Sequence, residues 1–165
     1  MRGYDPAAWE PFFVAVISAA AALTGLLFVA VSINLDKIVK GPGFLPARAA
    51  EALASLLLVL VASALALVPQ SVRLLGVEIL ILVVPLLVVT IVKQLTHRRQ
   101  TPTDPLLWTV SRIACTAVAT VPGTLAGLSL TVHWGGGLYW LAAAGLLGIV
   151  GAVYGAWVLL IEIIR

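Results

Sequence analysis

Charge is what this chain has least of. Only 10% of its 165 residues are Asp, Glu, Lys or Arg, against about a quarter in a soluble domain. That is too few to present a polar surface to water, so a water-soluble globule is excluded. A single cysteine, Cys115, excludes an intramolecular disulfide. It stands deep in an apolar stretch, where a free thiol acts as a small hydrophobe. Two histidines and one cysteine supply too few ligands for a metal or haem centre. The sequence has no HExxH, no metal-spaced His or Cys pair, and no glycine-rich phosphate loop opening a helix. The basic residues form no aromatic-interleaved stripe, so the formal charge of +3 points away from nucleic acid. Anionic lipid headgroups fit them better. The expectation is a chain with no cofactor, no metal, no nucleic-acid partner and no enzymatic activity.

What the chain has is apolar length. Hydrophobic residues make up 62% and the mean hydropathy is +1.14, so the exterior faces lipid. The size suits one integral membrane domain. The start, Met1 to Phe13, does not read as a cleavable signal: it has one basic residue, and Ser18 to Ala22 run on into more apolar sequence. The first span is expected to stay as an anchor.

Pro11 to Leu35 are uncharged over 25 residues, and about 20 suffice to cross the hydrocarbon core as helix. Pro11 suits the first turn, where a missing N–H costs nothing. Gly41, Pro42, Gly43 and Pro46 break the chain, in a loop that Asp36, Lys37, Lys40 and Arg48 hold in water. As a single helix Ala47 to Leu95 would reach roughly 73 Å, over twice the core thickness. It must turn back, and Pro69-Gln70-Ser71 is the credible turn. Pro85 should kink the helix that follows. Asp104-Pro105 reads as a cap and first helical position, and Pro122-Gly123 should loosen that helix. His133 to Gly137 divide the last uncharged run. The spacing therefore predicts an all-α, five-span transmembrane bundle, with spans at about 11–35, 47–68, 72–95, 105–132 and 138–164.

Five spans put the chain ends on opposite sides. Lys37, Lys40, Arg48, Lys93, Arg98, Arg99 and Arg165 fall on one side, with Arg112, about 10 Å into its helix, able to snorkel there. Only Arg2 and Arg73 fall on the other. The positive-inside rule then predicts an external N-terminus and a cytoplasmic C-terminus in the inner (plasma) membrane. Trp9, Trp134 and Trp140 fall at the expected outer interface, and Trp108 and Trp157 at the inner one, as amphipathic rings prefer.

Small residues let membrane helices approach closely. Ser18, Gly25 and Ser32 recur every seven residues in the first helix with Ala22 between them. In the last helix Gly145, Gly148, Ala152 and Gly155 share a face, and Gly151 and Gly155 form a small-xxx-small pair. Both sets are expected helix-packing seams. Ionisable groups inside the spans are the candidate functional residues, because charge in lipid is costly. Glu51 and Arg112 lie at similar depth and can pair if their helices touch. Glu78 lies roughly 9 Å below the outer surface, with Arg73 off its face, so His133 is the expected partner; such a pair can exchange protons near neutral pH. Asn34 is a further candidate. The fourth span is the most polar, with Arg112, Thr116, Gly123 and Gly127 along one face. Its hydroxyls suit either back-bonding in a central helix or a polar pore lining.

FFVAVISAAAALTGLLFVAVSINLDKI, from Phe12 to Ile38, and LPARAAEAL, from Leu45 to Leu53, resemble a family of small multi-pass membrane proteins of bacteria, frequent in actinobacteria. Its members share an FF–ALTGL-FVA-SINL first helix and a short loop ending in PxRA-E. Some carry the label modulator of FtsH protease. The match covers the first third of the chain; the rest agrees in length and hydropathy. The resemblance implies a bacterial source and brings no active-site residue with it.

Two functions remain open. The first is a non-enzymatic protein that binds other membrane proteins or lipids, regulating a membrane complex, with Glu51, Arg112, Asn34 and Glu78 as structural locks. The second is a small homo-oligomeric channel or transporter for ions or protons, with Glu78, His133 and the hydroxyls of the fourth span along its path.

Overall fold

The computed structural model describes residues 2–40, 44–100 and 106–164, and among them it is helical with no strand. Two short 3-10 turns, Arg2–Tyr4 and Pro6–Trp9, lead into α1 (Glu10–Ile33). Then come α2 (Leu35–Lys40), α3 (Phe44–Leu67), α4 (Val72–Gln100), α5 (Leu106–Val132) and α6 (Leu138–Ile164). Four stretches are long and apolar enough to cross a membrane: Pro6–Ile33, Leu45–Leu67, Val72–Val89 and Leu138–Ile161. The fifth long helix, α5, has 27 residues and an apolar section at Thr120–Val132. Pro11 occupies the first turn of α1, and the tight turn falls between Leu67 and Val72. Pro85 and Pro122 lie inside continuous helices. The expected start at Asp104-Pro105 lies outside the described residues.

The segment after the first span is not simply a loop in water. Asn34 ends α1, its side-chain amide donating to the Ala30 carbonyl at 2.9 Å. Its own carbonyl accepts from Ile38 N–H, which starts α2 directly. Asp36 and Lys40, one turn apart, approach to 3.8 Å on the exposed side of this short helix. Ile38 turns inward and is buried with Leu45, Ala49 and Leu159. One apolar residue in a charged hexamer suffices to fold the segment back onto the bundle, a contact that the charge pattern conceals.

Helices α3 to α6 form a ring in which α6 packs on α3 and α5, and α5 on α4. The α3–α4 pair touches only sparsely. Helix α1 lies outside the ring against α3 and grazes α6. Phe13 of α1, Leu58, Ala62 and Ala66 of α3, Leu75 and Ile79 of α4, Ala126 and Leu130 of α5 and Leu138 and Leu141 of α6 share one buried cluster. In lipid such contacts stabilise by close packing, since leaving hydrocarbon for a protein core gains little hydrophobic energy.

Glycine decides where the backbones meet. A Cβ on Gly76 would stand 2.8 Å from Thr131 N and 2.9 Å from the Gly127 carbonyl. One on Gly127 would stand 2.6 Å from Leu80 Cγ. On α6, a Cβ at Gly148 would meet Val59 of α3 at 2.5 Å, one at Gly145 would meet Val16 of α1 at 3.5 Å, and one at Gly155 would meet Ala52 at 3.7 Å. The α6 seam is therefore a packing face, with Gly151 off it: nothing stands within 4 Å of a Cβ there.

The α1 seam is a correction. Ser18, Ala22, Gly25 and Ser32 are all exposed, and a Cβ on Gly25 would meet nothing. Ser18 and Ser32 donate to Val14 and Phe28 carbonyls of their own helix. The face that packs is larger and apolar: Phe13, Val16, Ala20 and Leu27 are buried. Side-chain volume won over smallness, because α1 lies on the rim and packs mainly against α3.

Candidate functional site

At one end of the bundle the N-terminal turn closes the α5–α6 connection. Three consecutive glycines there have positive φ, +89° at Gly135, +110° at Gly136 and +48° at Gly137, and His133 is left-handed as well at +58°. This backbone aims two amide N–H groups at one spot. Gly137 N–H donates to Ser129 Oγ at 2.7 Å, and Gly136 N–H donates to Tyr4 Oη at 3.1 Å. Ser129 gives its own proton to the Trp134 carbonyl, so Tyr4 Oη donates to Ser129 Oγ at 3.3 Å. The Tyr4 ring stacks on His133, centroids 5.6 Å apart. Gly3 is buried beneath, where a Cβ would stand 2.9 Å from the Gly136 carbonyl. Trp9 packs edge-on against Tyr139 at 4.7 Å, while Trp134 and Trp140 are exposed around the same end. The Gly-Gly-Gly run signals a left-handed turn in the sequence. Nothing there indicates that Tyr4 completes it.

Glu78 and His133 do not meet. Glu78, half-buried, accepts a 2.7 Å hydrogen bond from the Gln70 side-chain amide, which also donates to the Leu65 carbonyl at 3.1 Å. The Pro69-Gln70-Ser71 turn thus folds its own polar side chain over the acid of the next helix. Gln70 lies eight residues before Glu78, in the turn that leads into α4. His133 is exposed and engaged by Tyr4 instead. Asn34 is a local cap at the α1–α2 break. Glu51 is half-buried on α3; its expected partner Arg112 has a side chain outside the described residues. Helices α3 and α5 stand across the ring from each other rather than side by side.

Between the four ring helices lies a cavity of about 20 Å³, room for one water. Ser55, Ala62 and Ser63 of α3, Val83 of α4, Gly123 of α5 and Gly145 and Gly148 of α6 line it. Ser55 donates to the Glu51 carbonyl at 2.9 Å and Thr124 to the Thr120 carbonyl at 2.9 Å. Thr131 likewise donates within α5, to Leu128. These three hydroxyls are turned back onto their own helices, as expected for lipid-embedded helices that must satisfy their polar groups internally. Among the described residues no cluster of His, Cys, Asp or Glu is placed to hold a metal.

No protein family, no curated protein and no solved structure matches this chain.

Proposed function

We propose that this is a five-span plasma-membrane protein, N-terminus outside, that acts without catalysis by binding another membrane protein through the outer face of α1. The observation that carries the proposal is the seam of Ser18, Ala22, Gly25 and Ser32, built of residues that favour close helix approach yet turned away from the rest of the chain. Small-xxx-small faces of this kind seat a second helix in a bilayer. A channel reading needs a continuous polar path, and the cavity between the ring helices has room for about one water.

The test is copurification in gentle detergent followed by mass spectrometry, comparing the parent with Gly25→Leu. Because nothing stands within 4 Å of a Cβ at position 25, the variant should unfold at the parent's temperature while losing its copurified membrane partner. A variant that retains every partner, or proton flux by the parent in liposomes altered by Glu78→Gln, overturns the proposal.

A further inference from the structure

Helix α2 is only six residues long, yet its two sides differ in kind. Successive residues on a helix are rotated by about 100°. That places Leu35, Ile38 and Val39 on one side and Asp36, Lys37 and Lys40 on the other. Ile38 fixes how the helix is turned, because it is buried with Leu45, Ala49 and Leu159. Leu35 and Val39 flank it on the apolar side and stay open, at 53% and 66% exposed. Ile33, the last residue of α1, adds another open apolar side chain at 79%.

The contacts of Ile38 also fix the depth of α2. Leu45 begins the apolar stretch of α3, and Leu159 lies two residues before Ile161, where that of α6 ends. The stretch that contains α1 ends at Ile33, two residues before α2 begins at Leu35. Three apolar stretches therefore end at the level of α2, where helices leave the hydrocarbon. An amphipathic helix at that level lies in the interface, its apolar side at the acyl boundary and its cations among the headgroups. Lys37 and Lys40 against Asp36 leave one net positive charge, and all three side chains are exposed.

We propose that α2 is an interfacial helix that binds anionic phospholipid. Lys37 and Lys40 meet the headgroup phosphates, while Leu35 and Val39 enter the acyl boundary beside Ile33. The surface is separate from the small-residue face of α1 and rests only on α1, α3 and α6 crossing a membrane.

The test is hydrogen exchange of the Ile38, Val39 and Lys40 amides, with the protein in phosphatidylcholine nanodiscs or in nanodiscs rich in phosphatidylglycerol. One net positive charge near an anionic surface is worth about fivefold, so the parent should exchange about fivefold more slowly in phosphatidylglycerol. Lys37→Gln should abolish that difference, and Asp36→Asn should widen it to about 25-fold. The ratio between the two lipids cancels what either change does to the helix itself. Val39→Gln should speed exchange in both lipids, although glutamine is a better helix former than valine. All three positions are exposed, so the variants keep the fold. Equal exchange of the parent in both lipids, a ratio indifferent to Lys37→Gln or Asp36→Asn, or no effect of Val39→Gln overturns the site. So does inorganic phosphate that slows exchange in phosphatidylcholine as much as phosphatidylglycerol does, which assigns the lysines to a soluble anion. Equal exchange of α2 in both lipids while the amides of α1 stay protected refutes the site and leaves the membrane crossing standing.

Discussion

Gly76→Leu should cost the bundle about 3 kcal/mol, the upper part of the range for overpacking a tight interface. The position has no room for even one carbon: a Cβ there meets the Thr131 amide and the Gly127 carbonyl under 3.0 Å. Those are backbone atoms, so no rotamer change relieves the clash and α4 must move away from α5. Much of the ring depends on that pair, because α4 touches α3 only sparsely and gains most of its burial against α5. Thermal unfolding in mild detergent is the measurement. Gly151→Ala, with open space at its Cβ, is the control and should leave the unfolding temperature unchanged. A Gly76→Leu protein as stable as the control shows that the two helices do not meet there.

Gly137→Val should be nearly as damaging, for two reasons that act together. The residue has φ +48°, where a β-branched residue is a genuine outlier and a left-handed conformation costs roughly 1–2 kcal/mol. Its Cβ would also run into the Gly3 carbonyl and the Tyr4 ring. The N-terminal turn must then leave, exposing Ser129 and the glycine amides it covers. Tyr4→Ala removes the same docking from the other side, giving up its hydrogen bonds to Ser129 and Gly136 and the stack on His133. The two losses overlap, so the double variant should be less destabilised than the singles summed. Hydrogen exchange of the Gly135–Gly137 amides reads this directly: both variants should speed it, leaving the α3–α6 contact protected.

Much of this architecture is legible in the sequence because hydrophobic length and turn chemistry act locally. Pro69-Gln70-Ser71, the His133–Gly137 run and Pro11 each mark a helix boundary by what their own backbone can adopt, and the helices begin and end there. The candidate residues depended on which helices meet, which no local rule states. Smallness alone did not distinguish the packed glycines of α6 from the exposed seam of α1, since both satisfy the same seven-residue spacing. Gly76, where the backbones of α4 and α5 meet, stands alone in its helix with no small neighbour to form a pattern. Glu78 pointed toward a distant histidine by depth, whereas the turn beside it supplied Gln70. Tyr4 lies 125 residues from Ser129, a separation over which spacing carries no information.

The proposed topology has five crossings, one of them made by α5, whose polar positions set it apart from the other four long helices. Protease-accessible tags at the two chain ends, probed on intact cells and after permeabilisation, test this directly. Five spans with the basic loops inside predict that the N-terminal tag is cleaved on intact cells and the C-terminal tag only after permeabilisation. Both tags cleaved together, on either side, would show an even number of crossings and contradict the account.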